Sequence, residues 1–141
     1  MPVFEPHGEY RLERDGYIIK NDASGAINLE TIEAYAREIS ALVEGFSGAP
    51  FAMYSLYDPD VILTSQAEMR LRQSVAERVG KGMCAAALNL SNSAHRLIIA
   101  AQIGGLYQEA GVPWQEFDSY EAAKPWLETR IAKARIPAGE T

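Results

Sequence analysis

The chain has 141 residues, enough for one domain with a real core. Hydrophobic residues make up 48% of it, too many for a disordered chain, and a formal net charge of −6 disfavours general binding to phosphate backbones. No apolar run reaches the roughly 20 residues of a membrane helix, and the single Cys84 excludes an internal disulfide or a cysteine metal cage.

The first eight residues carry Pro2, Pro6 and Gly8 and read as a loose lead-in. Residues 1–6 lack the basic segment followed by an apolar one that marks a signal peptide, which together with the lone cysteine fits a reducing cytoplasm. The domain is expected over 9–134, with a tail over 135–141. Glu9 to Glu13 alternates polar and apolar residues, as a half-exposed edge strand does. Asp15-Gly16 signals a hairpin, with glycine expected at the second turn position, and Tyr17 to Lys20 returns as the antiparallel partner. Asp22-Ala23-Ser24-Gly25 reads as a turn.

From Asn28 the spacing becomes helical. Ile32, Tyr35, Ala36, Ile39, Leu42 and Val43 fall on one stripe, Asn28 is placed to cap, and Gly45 ends the helix. Phe51 to Tyr57 is apolar toward both faces, the pattern of an inner strand covered on both sides. After Asp58-Pro59-Asp60 a second helix is expected near Ser65, with Ser65 and Glu68 at capping-box spacing and Gly80 as its stop. Met83 to Leu88 is another inner strand, whose alanines admit close helices. Ser91-Asn92-Ser93 then opens a helix over 93–110, closed by Gly111. Residues 112–117 make a short last strand, with Pro113 at its start. Asp118 and Glu121 have capping spacing for a final helix, which Pro125 should either delay or kink.

The order β-β-α-β-α-β-α-β-α predicts an α/β fold: about five strands, mostly parallel, with one antiparallel edge strand and four helices. Gly16 to Ile19, Glu33-Ala34-Tyr35, Pro50 to Tyr54, Arg78 to Met83, His95 to Ala100 and Ala123 to Leu127 carry a resemblance to the SpoIIAA-like superfamily, which includes STAS and CRAL-TRIO-type domains. More narrowly the chain resembles bacterial STAS/SEC14-like proteins. The resemblance spans roughly 9–132 and implies a β-α superhelix in which successive strands are neighbours. In STAS antagonists of anti-sigma factors, a serine at the helix start after an inner strand is phosphorylated. The matching segment here is Leu63-Thr64-Ser65-Gln66, which keeps the hydroxyls but not the preceding acid or the following glycine.

No catalytic constellation stands out, and neither a cofactor nor a metal is expected. Asp58 and Asp60 resemble the nucleophile loop of haloacid-dehalogenase-like phosphatases, where paired carboxylates hold magnesium; the same residues are ordinary turn chemistry. Thr64 and Ser65 are helix caps, or a phosphorylation switch at a helix N-terminus. Ser91, Ser93, His95 and Arg96 form the richest polar cluster, at a strand end where α/β sheets usually bind ligands. His95 has no second histidine near it for a metal, since His7 lies in the lead-in. The helix over 93–110 is apolar nearly all round: Leu97, Ile98 and Ala101 form one stripe, Ile99, Ile103, Leu106 and Tyr107 another. Gly104-Gly105 in its middle implies close approach by another backbone. This helix reads as a tightly packed core helix, or as one that supplies a homodimer contact or the wall of an apolar pocket. The functional reading is a non-catalytic binding or regulatory module with a protein partner. The alternatives are a carrier of a small apolar or lipid-like ligand and a magnesium-dependent phosphatase.

Overall fold

The computed structural model describes residues 8–136. The lead-in through His7 and the tail from Pro137 lie outside the described residues.

Strands β1 (Glu9–Asp15) and β2 (Ile18–Ser24) form the expected hairpin, paired from Asp15↔Ile18 to Glu9↔Ser24. Gly16 is the first of the two loop residues, not the second, and takes φ 60°. A positive φ at that position is the type II′ pattern, whose twist suits a hairpin. β2 also outruns expectation: Asp22, Ala23 and Ser24 are strand, and the turn is displaced to Gly25 at φ 77°. Asp22 and Ala23 are held extended by parallel pairing with a later strand, Asp22↔Leu56 and Ala23↔Tyr57, and Ser24 by its pairing with Glu9.

β3 (Ala26–Ile27) leads into α1 (Leu29–Glu44). Asn28 caps this helix by accepting from the Thr31 amide at 3.1 Å. β4 (Phe51–Tyr57) is the central strand, and β5 (Ile62–Leu63) pairs with β3 in a separate two-stranded ribbon that short-range patterning does not reveal. α2 (Ser65–Gly80) follows, then β6 (Met83–Asn89). Gly80 is still helical; the chain reverses at Gly82, φ 118°, where a Cβ would stand 2.9 Å from the Ala49 carbonyl oxygen.

Helix 96–109 is α3 (Arg96–Ile99), a π-helical turn (Ala100–Gly104) and α4 (Gly105–Glu109) run together. It starts three residues later than the spacing predicts. β7 (Trp114–Glu116) and α5 (Tyr120–Ala134) complete the chain. Ser119, not Asp118, caps α5 by accepting from the Ala122 amide at 3.1 Å. The helix runs on through Pro125, because proline there strands only the carbonyl of Glu121, an exposed first-turn residue.

The main sheet has the order β1-β2-β4-β6-β7, parallel except for the β1 edge. α1, α2 and helix 96–109 cover one face over Ile19, Phe51, Met53, Tyr57 and Leu88. α5 covers the other, its Ala123, Leu127 and Ile131 lying on Ile18, Ala52, Ala85 and Ala87. This double cover explains why β4 is apolar on both sides.

Candidate functional site at the strand-end rim

Parallel strands end at one edge, so the loops after β2, β4, β6 and β7 gather there. Main-chain bonds stitch them together. The Asp58 amide donates to the Ala23 carbonyl at 2.9 Å, that of Phe117 to Leu88 at 2.9 Å, and that of Ala94 to Pro59 at 3.0 Å. The last bond joins the two polar segments, around Asp58 to Ser65 and Ser91 to Arg96.

Within the first segment, Asp60 Oδ1 accepts from the Gly25 amide at 3.0 Å, so this carboxylate fastens the β2 loop to the β4 loop. Asp58 lies against Asp22. Burial, the Asp22 charge and its hydrogen bond, and the Asp60 charge all push its carboxyl above the ordinary value. Among the described residues no cluster of three or more histidines, cysteines or acids is placed to hold a metal ion.

Thr64 is the N-cap of α2, its Oγ1 accepting from the Ala67 amide at 3.1 Å. Ser65 is therefore not the cap. It stands at the first helical position, exposed, with the capping bond already made by its neighbour. The cap is Thr64 because its extended backbone, φ −67° and ψ 160°, aims the hydroxyl into the first turn.

In the second segment Asn89, which the sequence reading passed over, is the organiser. It is buried, donates from Nδ2 to the Tyr54 hydroxyl at 2.9 Å, and accepts at Oδ1 from the Ser91 amide at 3.1 Å and hydroxyl at 2.6 Å. The signal was a single polar residue closing an apolar strand. Ser93 does not cap a helix; its Oγ accepts from the His95 amide at 3.1 Å within a turn, and the helix begins only at Arg96. Arg96 bridges to Glu116 on β7 at 3.1 Å.

Helix 96–109 differs from expectation most. Ile99, Ile103, Leu106 and Tyr107 are no more than 3% exposed, buried in the core of their own chain, so none of them can form a subunit contact. Gly104 is buried for a different reason from the one predicted: the group pressing on it is the Trp114 indole, 2.6 and 2.8 Å from where a Cβ would stand, and not a backbone. Gly105 is exposed, with nothing within 4 Å of an added Cβ. Of the apolar residues, Leu97 (86% exposed) and Ile98 (53%) face outward. Ile103 does reach a cavity, shared with Tyr10, Asn21, Ile27, Tyr35 and Tyr57, but its volume is about 30 Å³. That is space for one or two waters and none for a lipid chain as the side chains stand.

The sequence matches no protein-family model and no curated protein. The structure superposes on an uncharacterized protein from the DUF3478 family with a SpoIIAA-like fold, from Shewanella loihica PV-4, with a TM-score of 0.60 and 17% identity over 90% of this chain and 98% of that one. It also superposes on an anti-sigma factor antagonist from Mycobacterium paratuberculosis, with a TM-score of 0.56 and 16% identity over 86% of this chain and 94% of that one. The fold is SpoIIAA-like. At these identities the likeness is one of architecture. Within the SpoIIAA-like frame the α2 N-terminus follows the central strand, and the rim loops lie beside it. Among the described residues no helix is long and apolar enough to cross a membrane.

Proposed function

We propose that this chain is a cytoplasmic, non-catalytic regulatory module of the STAS type, homodimeric, which binds a protein partner at the strand-end rim and is tuned by modification of Ser65. The likeness of its fold to an anti-sigma factor antagonist supports the class of function. The observation that carries the reading is the division of labour at the start of α2: Thr64 supplies the cap, and the Ser65 hydroxyl next to it is exposed and outside that bond. A phosphoryl group there would meet the positive end of a 16-residue helix and its first amides. Ile62 (43% exposed) and Met69 (62%) flank Ser65 and offer apolar surface of the kind a protein partner covers. A new charge between them would repel an apolar face, which makes a switch of the serine.

The test is recovery of partner from native lysate on immobilised wild-type, Ser65→Ala and Ser65→Glu proteins. A partner retained by wild type and Ser65→Ala but lost on Ser65→Glu is the expected outcome. Equal recovery on Ser65→Ala and Ser65→Glu removes the switch.

A further inference from the structure

We infer that two copies of this chain pair edge to edge through β1, antiparallel about Leu12, so that Arg11 of each copy faces Glu13 of the other across one continuous sheet. This rests on the proposed homodimer and adds its surface and its register.

β1 is an edge of the main sheet. Its 7 residues pair with β2 without a bulge, from Glu9↔Ser24 to Asp15↔Ile18, and none of them is proline. Bulges, prolines and short length are devices that keep an edge from pairing with another chain. β7, at the opposite edge, is only 3 residues long. β1 uses none of the three.

In an antiparallel ladder, residues that bond the partner strand alternate with residues whose main-chain groups point away. The Tyr17 and Ala23 carbonyls accept from the Ala52 and Asp58 amides, so the odd-numbered residues here bond toward β4 and the even-numbered residues of β2 bond toward β1. Through the hairpin register, Arg11, Glu13 and Asp15 are the β1 residues that bond β2. Tyr10, Leu12 and Arg14 aim their amides and carbonyls outward. Among the described residues no main-chain bond meets them.

A two-fold axis normal to the sheet at Leu12 sets Leu12 opposite Leu12 and Tyr10 opposite Arg14, so every outward group on these residues finds a partner. Arg11 then lies opposite Glu13 at the positions without main-chain bonds, where side chains approach most closely. Both are exposed, and among the described residues neither has an ion-pair partner. Their side chains point to the face that carries α5, as that of Asp15 does in meeting Tyr120 and Lys124. On that face Lys20 lies opposite Glu13 and Asp22 opposite Arg11. The row therefore reads Lys20, Glu13, then Arg11 and Asp22 of the second copy, changing sign at every strand.

Opposite charges directly across a ladder stabilise it and like charges destabilise it. Sliding the second copy by two residues keeps main-chain groups matched but sets Arg11 against Arg11 or Glu13 against Glu13. One like pair remains in the register about Leu12, Glu9 with Asp15 at the ends, where the Lys124 ammonium already meets Asp15 at 3.2 Å. β1 is thus complementary to itself, as an isologous interface demands, and this makes the occupant a second copy.

The experiment is light scattering on the full chain at micromolar concentration, with the wild type, Arg11→Glu, Glu13→Arg and an equimolar mixture of the two variants. Amide hydrogen exchange of the wild type, resolved by NMR, accompanies it. Each reversal also puts a like charge opposite Asp22 or Lys20 on β2, so circular dichroism verifies that each variant folds; the exchange measurement needs no variant. The expected result is a wild type of twice the chain mass, each variant alone at half of that, and the doubled mass recovered in the mixture, where opposite charges again face each other at both positions. The Leu12 and Arg14 amides should be as protected in the wild type as those of Arg11 and Glu13, which bond within the chain. A dimeric wild type whose mass survives both reversals, or whose Leu12 and Arg14 amides exchange freely, overturns this surface while leaving the homodimer intact. Variants that separate and do not recombine overturn the register. A monomeric wild type overturns both the surface and the homodimer.

Discussion

The guanidinium of Arg78 donates from Nη1 to the Tyr35 hydroxyl at 3.3 Å, and both residues are buried between α2 and α1. Its Nε donates to the Ser74 carbonyl at 3.3 Å, while Nη2 has no hydrogen-bond partner. No carboxylate among the described residues bridges to Arg78. Its company is phenolic: Tyr107, whose hydroxyl burial pushes up to about 12, and Tyr57, also raised by burial. These phenols stay protonated at neutral pH, so the positive charge is met by neutral oxygens. Loss of one of them is costly, because hydrogen bonds to charged groups contribute about 1.5–3 kcal/mol. Tyr35→Phe should lower stability by about that amount in urea unfolding. A change within about 0.5 kcal/mol, the size of an ordinary surface substitution, would show that the hydroxyl contributes little.

The neighbouring glycines of helix 96–109 predict opposite results. Gly104→Ala forces a methyl group into the Trp114 ring and should cost about 1–3 kcal/mol by overpacking. Gly105→Ala meets open space and should leave the urea midpoint of the chain unchanged or raise it. Equal destabilisation by the two would mean that Trp114 yields.

At the start of α2, Thr64→Ala removes the cap and should cost about 0.5–2 kcal/mol. Ser65→Ala should be neutral within about 0.5 kcal/mol. Thermal melts of both variants decide between them, and a reversal would move the cap to Ser65.

Two aspartates make opposite contributions to pH dependence. The Asp58 carboxyl holds its proton more tightly in the native state than in the unfolded chain, by burial and by the neighbouring Asp22 and Asp60. Its contribution to stability is therefore fully present below the unfolded value near pH 4 and is lost as pH rises through the native one. Asp15 is the converse: a hydrogen bond from Tyr120 at 2.5 Å and the Lys124 ammonium at 3.2 Å lower its value. Its contribution is present above the unfolded value and is lost as pH falls through the native one. Relative to wild type, Asp58→Asn should gain stability as pH rises above about 4, whereas the deficit of Asp15→Asn should be full above about pH 4 and shrink as pH falls below it. Denaturation midpoints measured on both sides of about pH 4 check both signs, and an Asp58→Asn profile parallel to wild type above it, or an Asp15→Asn profile parallel to wild type below it, would refute the assignment.

Several elements were legible because their signals are local. Asn28 precedes an amphipathic stripe and caps it, and Phe51 to Tyr57 is apolar on both faces because helices cover both. The β3–β5 ribbon was not legible, since two residues carry no period and the pairing joins Ala26 to Ile62 across the sequence. Nor was the length of β2: Asp22 and Ser24 have turn chemistry but are held extended by β1 on one side, and Asp22 also by β4 on the other. At the rim, alternating strands and helices led to the expectation that the two polar segments share one strand-end crevice; the particular Ala94 to Pro59 bond between them is a product of the tertiary structure.

Composition and periodicity were enough to establish alternating strands and helices around a doubly covered parallel sheet, because burial on that scale is recorded residue by residue in the apolar pattern. Which side of an almost wholly apolar helix turns inward is another matter. Its two stripes are equally hydrophobic in sequence, and the choice was made by what lies underneath: the core takes Ile99, Ile103, Leu106 and Tyr107, Trp114 takes Gly104, and Leu97 and Gly105 are left facing outward.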